Sequence, residues 1–321
     1  MPEICFVLIL VKIRKMNKKL AAFFSVLVIL VFIGYIIIDS VLPEGFGRKE
    51  DKVVVRDSVP DLWKISHELK VEQGSLKAVT VSNNGNIYLG GDSFVSCYDN
   101  DLKLLWNTKS PYPVSALSNY GDTIFAATME KILIISSDGK IINEWGPFED
   151  NAIITSISSD KSDIAFSDAG NRIVFILDKT GGVKKMIGQN DGKFIVPSPY
   201  FDLALGTDNI LYIANTGHRR VETRTMEGDL KSYFGEPGTA PGAFCGCCNP
   251  AHFAVIPQGF VTAEKGINRI KILDKTGKFI EYVSSKNKFM ASVPLDLASI
   301  DGKSIYAANP ADSKLYIFTR K

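Results

Sequence analysis

Three of the five cysteines of this chain stand together in Cys245-Gly246-Cys247-Cys248-Asn249-Pro250, and His252 follows closely. Thiols this close in sequence can pair in a disulfide, exchange with other disulfides, or bind a soft metal ion as thiolates. For a disulfide, the spacing favours Cys245 with Cys248, because joining adjacent cysteines closes a strained ring. As metal ligands, the thiols and the imidazole suit zinc, copper or an iron–sulfur centre, although the spacing matches neither a zinc finger nor a ferredoxin. Disulfide, metal centre and redox exchange all stay open as roles of this cysteine loop.

A second set of polar residues, Asp202, His252 and Asp296, shares one position in a repeated pattern. Each stands eight or nine residues before an apolar pair that is typical of a β-strand. Two carboxylates and an imidazole are competent ligands for a divalent metal ion, or can serve as acid and base where burial shifts their pKa values. The structural alternative is that the carboxylates accept hydrogen bonds from backbone amides of neighbouring elements. We favour the structural role, keep the metal site as a candidate, and assign no residue as catalytic.

Three arginines, Arg172, Arg220 and Arg269, recur in corresponding loops of the same pattern. On a common face, their guanidinium groups would suit an anionic ligand or an acidic segment of a partner. The alternative is that each arginine pairs with a carboxylate of the fold, for which Asp168 and Glu264 are available. Of the two, the sequence favours pairing within the fold.

The candidate residues described above belong to a unit that recurs six times after residue 75. Its marker is an apolar pair that returns at intervals of 37 to 49 residues. The pairs are Ile87-Tyr88, Ile124-Phe125, Ile164-Ala165, Leu211-Tyr212, Phe260-Val261 and Ile305-Tyr306. A period of this length is typical of one four-stranded blade per repeat. Because blades around an axis share a continuous core and leave only short edges, the sequence predicts an all-β, six-bladed β-propeller over residues 61–321.

In such a propeller the polar set belongs to the innermost strands. Counting back from each apolar pair gives one position per blade, occupied by Ala78, Ser115, Thr155, Asp202, His252 and Asp296. We therefore expect Asp202, His252 and Asp296 around the mouth of a central channel, with the cysteine loop on the same face. An alignment error of one residue would turn the whole set outward.

The last repeat provides three strand-like segments before Lys321 and lacks a fourth. Residues 62–72, Leu-Trp-Lys-Ile-Ser-His-Glu-Leu-Lys-Val-Glu, form an isolated strand-like segment ahead of the first repeat. We predict that this N-terminal strand completes the last blade and closes the ring, which leaves no open edge for aggregation.

Three loops carry a shared sequence pattern. They read Asp168-Ala169-Gly170-Asn171-Arg172-Ile173, Asn215-Thr216-Gly217-His218-Arg219-Arg220-Val221 and Glu264-Lys265-Gly266-Ile267-Asn268-Arg269-Ile270. The segments resemble the acidic-x-Gly-Asn-x-Arg-aliphatic signature of NHL-repeat propellers, with Asn215 departing from the acidic position. The match is good in repeats 3 to 5 and weak in the others. The resemblance implies a six-bladed binding scaffold more securely than an activity, since that family includes protein-binding modules and a few metal-dependent enzymes.

The N-terminal region differs from the repeats, because Leu20 to Ile38 contains no charged residue. As a helix rising about 1.5 Å per residue, this run nearly crosses a hydrocarbon core of about 30 Å. Basic residues precede it, so we predict a cytoplasmic segment over residues 1–19, a transmembrane helix over 20–38, a linker over 39–60 and a propeller on the extracytoplasmic side, in the periplasm. A cleaved signal peptide is the alternative, although no small-residue cleavage pattern follows the run. Met16 is a second candidate start, which would make residues 1–15 non-native.

Composition and missing motifs exclude several function classes. The net charge is +2, of which residues 1–40 carry +3, so the remainder is at −1 and offers no basic footprint for nucleic acid. The sequence contains no Gly-x-Ser-x-Gly elbow, no His-Glu-x-x-His and no phosphate-binding Gly-rich loop.

The sequence thus favours a membrane-anchored module that binds a protein or a small molecule through its channel-mouth face. Two alternatives come from other classes of protein. One is a hydrolase or lyase that uses a divalent metal ion in the channel, and the other is a redox or metal-cluster accessory that uses the cysteine loop.

Overall fold

The computed structural model describes residues 18–41, 62–189, 192–207, 209–285 and 288–321. Residues 1–17 and 42–61, which include most of the predicted cytoplasmic segment and the predicted linker, lie outside the described residues. The chain divides into two units, Met1–Arg56 and Asp57–Lys321. In the first unit the structure describes the helix α1 (Lys18–Val41), with side chains described for residues 23–34. Within the described part of the chain, no helix combines the length and the apolar character needed to cross a membrane.

The second unit is a six-bladed propeller of four-stranded antiparallel sheets. Its first strand in chain order is β1 (Trp63–Lys70). The strands of blades 1 to 3, from the innermost outward, are β2 (Leu76–Val81), β3 (Ile87–Gly91), β4 (Phe94–Tyr98) and β5 (Leu104–Lys109); β6 (Ala116–Tyr120), β7 (Thr123–Ala127), β8 (Ile132–Ser136) and β9 (Ile141–Trp145); and β10 (Ile154–Ser159), β11 (Ile164–Asp168), β12 (Ile173–Leu177) and β13 (Val183–Ile187).

The remaining strands form blades 4 to 6. They are β14 (Leu203–Leu205), β15 (Ile210–Asn215), β16 (Arg220–Thr225) and β17 (Leu230–Phe234); β18 (His252–Ile256), β19 (Gly259–Ala263), β20 (Ile270–Asp274) and β21 (Phe279–Ser284); and β22 (Asp296–Ala298), β23 (Ser304–Asn309) and β24 (Lys314–Arg320), followed by β1. A short 3-10 turn, Thr216–His218, connects β15 to β16.

The N-terminal strand closes the ring. β1 pairs antiparallel with β24, with Trp63 opposite Arg320 and Leu69 opposite Leu315. The Trp63 side chain is buried in one core cluster with residues of blades 5 and 6, including Val283 and Phe318. The predicted β-propeller architecture and its closing strand are thus both observed.

Burial differs between the strands of a blade. Every residue of β11 and of β12 is buried, whereas most of β9 and β13 is exposed or half-buried. The middle strands are covered by the neighbouring blades on both sides, which explains their continuous apolar runs in place of a polar alternation.

Adjacent blades also meet at glycine turns. The outermost strand of blade 4 ends at Phe234, which packs against Gly277 in the last hairpin turn of blade 5. Gly277 has φ +85°, and a Cβ there would lie 2.2 Å from Cβ of Phe234. Trp145, at the end of blade 2, packs in the same way against Gly181 in the last hairpin turn of blade 3, where φ is +90°. The turn before the outermost strand of a blade therefore supplies a contact with the preceding blade.

Candidate functional site at the channel mouth

The innermost strands surround a cavity of about 230 Å³ on the axis of the propeller. Polar side chains of the lining are Thr80, Ser118, Thr155, Ser156, Ser158, Asp202, Asp296 and Ser299. The described lining contains two carboxylates and no lysine or arginine. The cavity is therefore polar, with its formal charge confined to Asp202 and Asp296.

The structure brings Asp202, His252 and Asp296 together, and the two carboxylates line one end of this cavity. Asp202 immediately precedes β14, while His252 and Asp296 are the first residues of β18 and β22. Nδ1 of His252 lies 3.5 Å from Oδ1 of Asp296 and 3.8 Å from Oδ2 of Asp202. The imidazole thus lies between carboxylates from the two neighbouring blades.

Both carboxylates also connect blades through hydrogen bonds. Asp202 accepts from Oγ of Ser156 at 2.5 Å in blade 3 and from the backbone N of Phe253 at 2.7 Å in blade 5. Asp296 accepts from the backbone N of Val79 in blade 1 at 2.8 Å. These are the bonds to neighbouring amides that the structural alternative predicts, so each carboxylate has a role in the fold whatever else it binds.

Burial shifts the protonation of this cluster. Burial raises the pKa of Asp202 to about 6, and burial together with repulsion from Asp202 raises the pKa of Asp296 to about 8. Burial lowers the pKa of His252 to about 4. Near pH 7 the imidazole is neutral, Asp296 holds a proton and Asp202 is mostly ionised, so the cluster has one negative charge and one exchangeable proton.

The described residues do not provide a metal site of the usual kind. No group of three or more His, Cys, Asp or Glu residues among them is arranged to hold a metal ion. The candidate divalent ion at Asp202, His252 and Asp296, and the candidate zinc or iron–sulfur centre at the cysteine loop, gain no support from this geometry.

The cysteine loop lies directly before β18 and is held from both sides. The backbone N of Cys245 donates to Oε2 of Glu264 at 3.0 Å. Asn249 exchanges two hydrogen bonds with the backbone of Lys265, both at 2.9 Å. Sγ of Cys247 lies 3.1 Å from Sγ of Cys248. The sulfur contact thus joins the adjacent cysteines, and not Cys245 with Cys248, the pair that the sequence favours for a disulfide.

Three residues between the cysteine loop and His252 were not singled out by the sequence. Nζ of Lys265 lies 4.6 Å from the ring centroid of Tyr200 and 3.5 Å from Oγ of Ser198. The Tyr200 ring meets His252 edge-on, with centroids 6.1 Å apart. These contacts form a continuous row from the thiols to the channel mouth. Ser198 and Tyr200 lie in the link before β14, and Lys265 lies in a loop of blade 5. Of the three, only Lys265 belongs to the signature that repeats in the sequence.

Two of the three candidate anion-binding arginines are engaged within the fold. Arg269 is 1% exposed, and its Nε donates to Oε1 of Glu264 at 2.6 Å. Arg220 donates to Oε1 of Glu222 at 2.6 and 2.8 Å and lies over the Tyr233 ring. Arg172 is exposed. Pairing within the fold therefore describes Arg220 and Arg269, and the three guanidinium groups do not form one exposed ring.

Comparison with known proteins identifies the fold. No family model and no curated protein matches the chain. Virginiamycin B lyase from Staphylococcus aureus is 17% identical with a TM-score of 0.57, over 81% of this chain and 100% of that one. A protein of unknown function from Bacteroides thetaiotaomicron is 13% identical with a TM-score of 0.57, over 79% of this chain and 72% of that one. The WD40 β-propeller domain of Doa1 is 13% identical with a TM-score of 0.55, over 78% and 81%. At these identities the likeness shows a β-propeller and no activity.

Proposed function

We propose that this protein is a binding module that takes its ligand at the channel-mouth face, formed by Asp202, His252, Asp296, Tyr200 and Lys265. The observation that carries the proposal is the polar cavity on the axis, which ends at two carboxylates. A cavity of about 230 Å³ is smaller than the pockets that enclose drug-sized ligands. It is suited to one polar group of a ligand whose remainder lies on the mouth.

The charge of the cavity favours a cationic group, such as the ammonium or guanidinium of a small molecule or of a partner's side chain. The lining offers carboxylate and hydroxyl oxygens as acceptors, and its described residues include no competing lysine or arginine. A bound cation would favour the ionised form of Asp296, whose pKa is raised to about 8 in its absence. Binding should therefore release a proton near neutral pH and strengthen as the pH rises.

Thermal unfolding of the full-length chain with arginine, lysine, agmatine and choline tests this function. We expect at least one of these cations to raise the Tm, and to raise it more at pH 8.5 than at pH 6. Asp296→Asn should abolish the increase, whereas Asp92→Asn, which changes an exposed carboxylate paired with Lys77, should retain it. The proposal is rejected if no cation in the panel raises the Tm, or if Asp296→Asn responds as the unsubstituted protein does.

We further propose that the repeats are of the NHL type. The support is that the acidic residue and the arginine of the signature in blade 5, Glu264 and Arg269, form a buried ion pair. In blade 3, Asp168 at the acidic position accepts hydrogen bonds from the backbone N of Gly170 and Asn171. A sequence profile built from relatives of this chain should retain both positions, and their loss would argue for another repeat type.

We also propose that residues 20–38 anchor the chain in a membrane, with the propeller on the extracytoplasmic side. The support is the sequence run without charge and the preceding Lys18 and Lys19. An alkaline carbonate wash should leave the chain in the membrane fraction, and protease added to spheroplasts with an intact cytoplasmic membrane should digest the propeller. Release by carbonate contradicts the anchor, and protection from protease contradicts the orientation.

A further inference from the structure

We propose that Cys247 and Cys248 are a redox-active vicinal pair that closes into a disulfide by exchange with an incoming disulfide. The pair lies outside the axial cavity, and the reaction proposed for it does not require a ligand in that cavity.

The first observation is the contact between the two sulfurs. Sγ of Cys247 and Sγ of Cys248 are 3.1 Å apart, in hydrogen-bond contact. Cys247 is exposed, whereas Cys248 is 2% exposed. One thiol is thus open to an external disulfide, and the other is shielded from it but adjacent to the first. This is the arrangement of an attacking and a resolving cysteine.

The second observation is that the loop is fixed before any reaction. Glu264, which binds the backbone N of Cys245, is itself buried and paired with Arg269 and Lys271. On the other side, Asn249 is bound twice to the backbone of Lys265. Because the loop is held at both ends by blade 5, the two thiols are presented together and lose little freedom when they react.

The third observation is the polar surroundings of Cys248. Burial by itself raises the pKa of the Cys248 thiol, but hydrogen bonds with Ser198 and Cys247 and the Lys265 ammonium outweigh it and hold the pKa below its usual value. The hydrogen bond to Cys248 raises the pKa of Cys247. These contacts therefore favour a thiolate at Cys248 over one at Cys247, and the thiolate is the reactive form of cysteine.

The exchange balances in two steps. One of the two thiol protons is first lost to solvent and the other moves to Cys248. Cys247 Sγ, as the thiolate, then attacks one sulfur of the incoming disulfide RSSR, so that a Cys247–SR bond forms and RS⁻ leaves. RS⁻ takes the proton from Cys248 and departs as RSH. Cys248 Sγ then attacks Cys247 Sγ, the bond to SR breaks, and a second RS⁻ leaves. Two electrons pass from the protein pair to RSSR, which is reduced to RSH and RS⁻, and this RS⁻ regains from solvent the proton that the pair had lost.

The fourth cysteine that the structure describes, Cys97, provides an internal control. It is 0% exposed in the core of blade 1, and burial raises its pKa to about 11. A thiol in this environment is inert to exchange, so any reaction confined to the cysteine loop is distinguished from general oxidation.

The test incubates the purified full-length chain in buffers with graded ratios of oxidised to reduced glutathione, and then alkylates the remaining thiols under denaturing conditions. We expect Cys247 and Cys248 to become unreactive together as the ratio rises, while Cys97 and Cys245 stay alkylated. In the mass spectrum of the peptide that contains the loop, backbone fragments should appear between Cys245 and Cys247 and be absent between Cys247 and Cys248, because those two residues share a ring.

Matched variants complete the test. Cys247→Ser and Cys248→Ser should each lose the internal disulfide, whereas Cys245→Ser should retain it. Lys265→Gln should raise the pH of half-maximal alkylation of the pair in the reduced protein. The proposal is overturned if both thiols stay alkylated at every ratio, or if Cys245→Ser abolishes the oxidation. Fragments that assign the bond to Cys245 and Cys248 would overturn it as well.

Discussion

At the scale of single residues, Asp202 and Asp296 combine two tasks. Each carboxylate holds the backbone of a neighbouring blade, at 2.7 Å for Phe253 and 2.8 Å for Val79, and each also faces His252. Removing either side chain would therefore disturb the fold as well as the site. An asparagine is the better probe, because its side-chain oxygen can still accept the backbone hydrogen bond while the ionisable group is lost.

The position of these residues was predictable from sequence, but their surroundings were not. Asp202, His252 and Asp296 stand at a nearly constant distance from the apolar pair of their repeat, because each belongs to the hairpin that joins the first two strands of a blade. Tyr200 belongs to a link whose length differs between repeats, and Lys265, although inside the repeated signature, occupies a position that is Ala169 and Thr216 in the other two loops. The sulfur contact of Cys247 with Cys248 depends on the local backbone, which spacing alone does not fix.

A pH dependence of stability follows from Asp296. Its pKa is about 8 in the folded protein, against an ordinary value of 3.8, so between these pH values the folded state holds a proton that the unfolded chain has lost. The free energy of unfolding therefore falls as the pH rises, and levels off above about pH 8. Asp202, with a folded pKa of about 6, acts in the same direction, and His252, whose imidazole has an ordinary pKa of 6.5 in the unfolded chain, acts in the opposite one, so above about pH 6.5 their remaining contributions are small and oppose each other.

Between pH 6.5 and 8.5, we thus expect the free energy of unfolding to fall by about 2 kcal/mol in the unsubstituted protein. Asp296→Asn should show no such fall, because no proton is left to lose. Urea unfolding at pH 6.5, 7.5 and 8.5 measures the difference, with Asp92→Asn as the matched control on an exposed carboxylate. An equal fall in Asp296→Asn would show that the group titrates elsewhere in the protein.

At the scale of elements, the repeat predicts the blades because each blade buries the same strands. The apolar pair of every repeat lies in the second strand, for example Ile87 in β3 and Ile305 in β23, where neighbouring blades cover both faces. The innermost strands are harder to recognise in the sequence, since β14 and β22 are only three residues long. A strand of that length gives too few residues for a period of two to be recognised.

The glycine turns between blades provide a test at this scale. Gly277→Ala introduces a Cβ 2.2 Å from Cβ of Phe234 at φ +85°, so both the backbone and the packing of two blades must shift. We expect a loss of about 3 kcal/mol in the free energy of unfolding. Gly121→Ala is the matched control, because Gly121 has φ +58° with no atom within 4 Å of the added Cβ. It should cost only about 1 kcal/mol. Chemical unfolding compares the two, and equal losses would mean that the turn contributes nothing to blade contact.

At the scale of the whole molecule, the propeller depends on a strand that is remote in sequence. β1 and β24 are separated by nearly the whole repeat region, yet they form one ladder from Trp63 opposite Arg320 to Lys70 opposite Lys314. The need for closure was predictable, since three strands in the last repeat leave an open edge. The role of Trp63 as the buried residue of this strand was not predictable, because its burial follows from the packing of blade 5 against blade 6.

Closure is tested by Trp63→Ala. Trp63 is 2% exposed and shares its core cluster with Val283, Ile305 and Phe318, so its removal leaves a cavity where blades 5 and 6 meet. We expect a loss of about 3 to 5 kcal/mol in the free energy of unfolding. Because Trp63 is the one buried residue of β1, its loss should loosen this strand, and limited proteolysis should cut first between Lys70 and Leu76 in the variant. Lys64→Ala, an exposed neighbour on the same strand, should change neither quantity. If Trp63→Ala unfolds and is cleaved as the unsubstituted protein is, burial of Trp63 does not contribute to closure, and the ring is closed by the backbone ladder between β1 and β24.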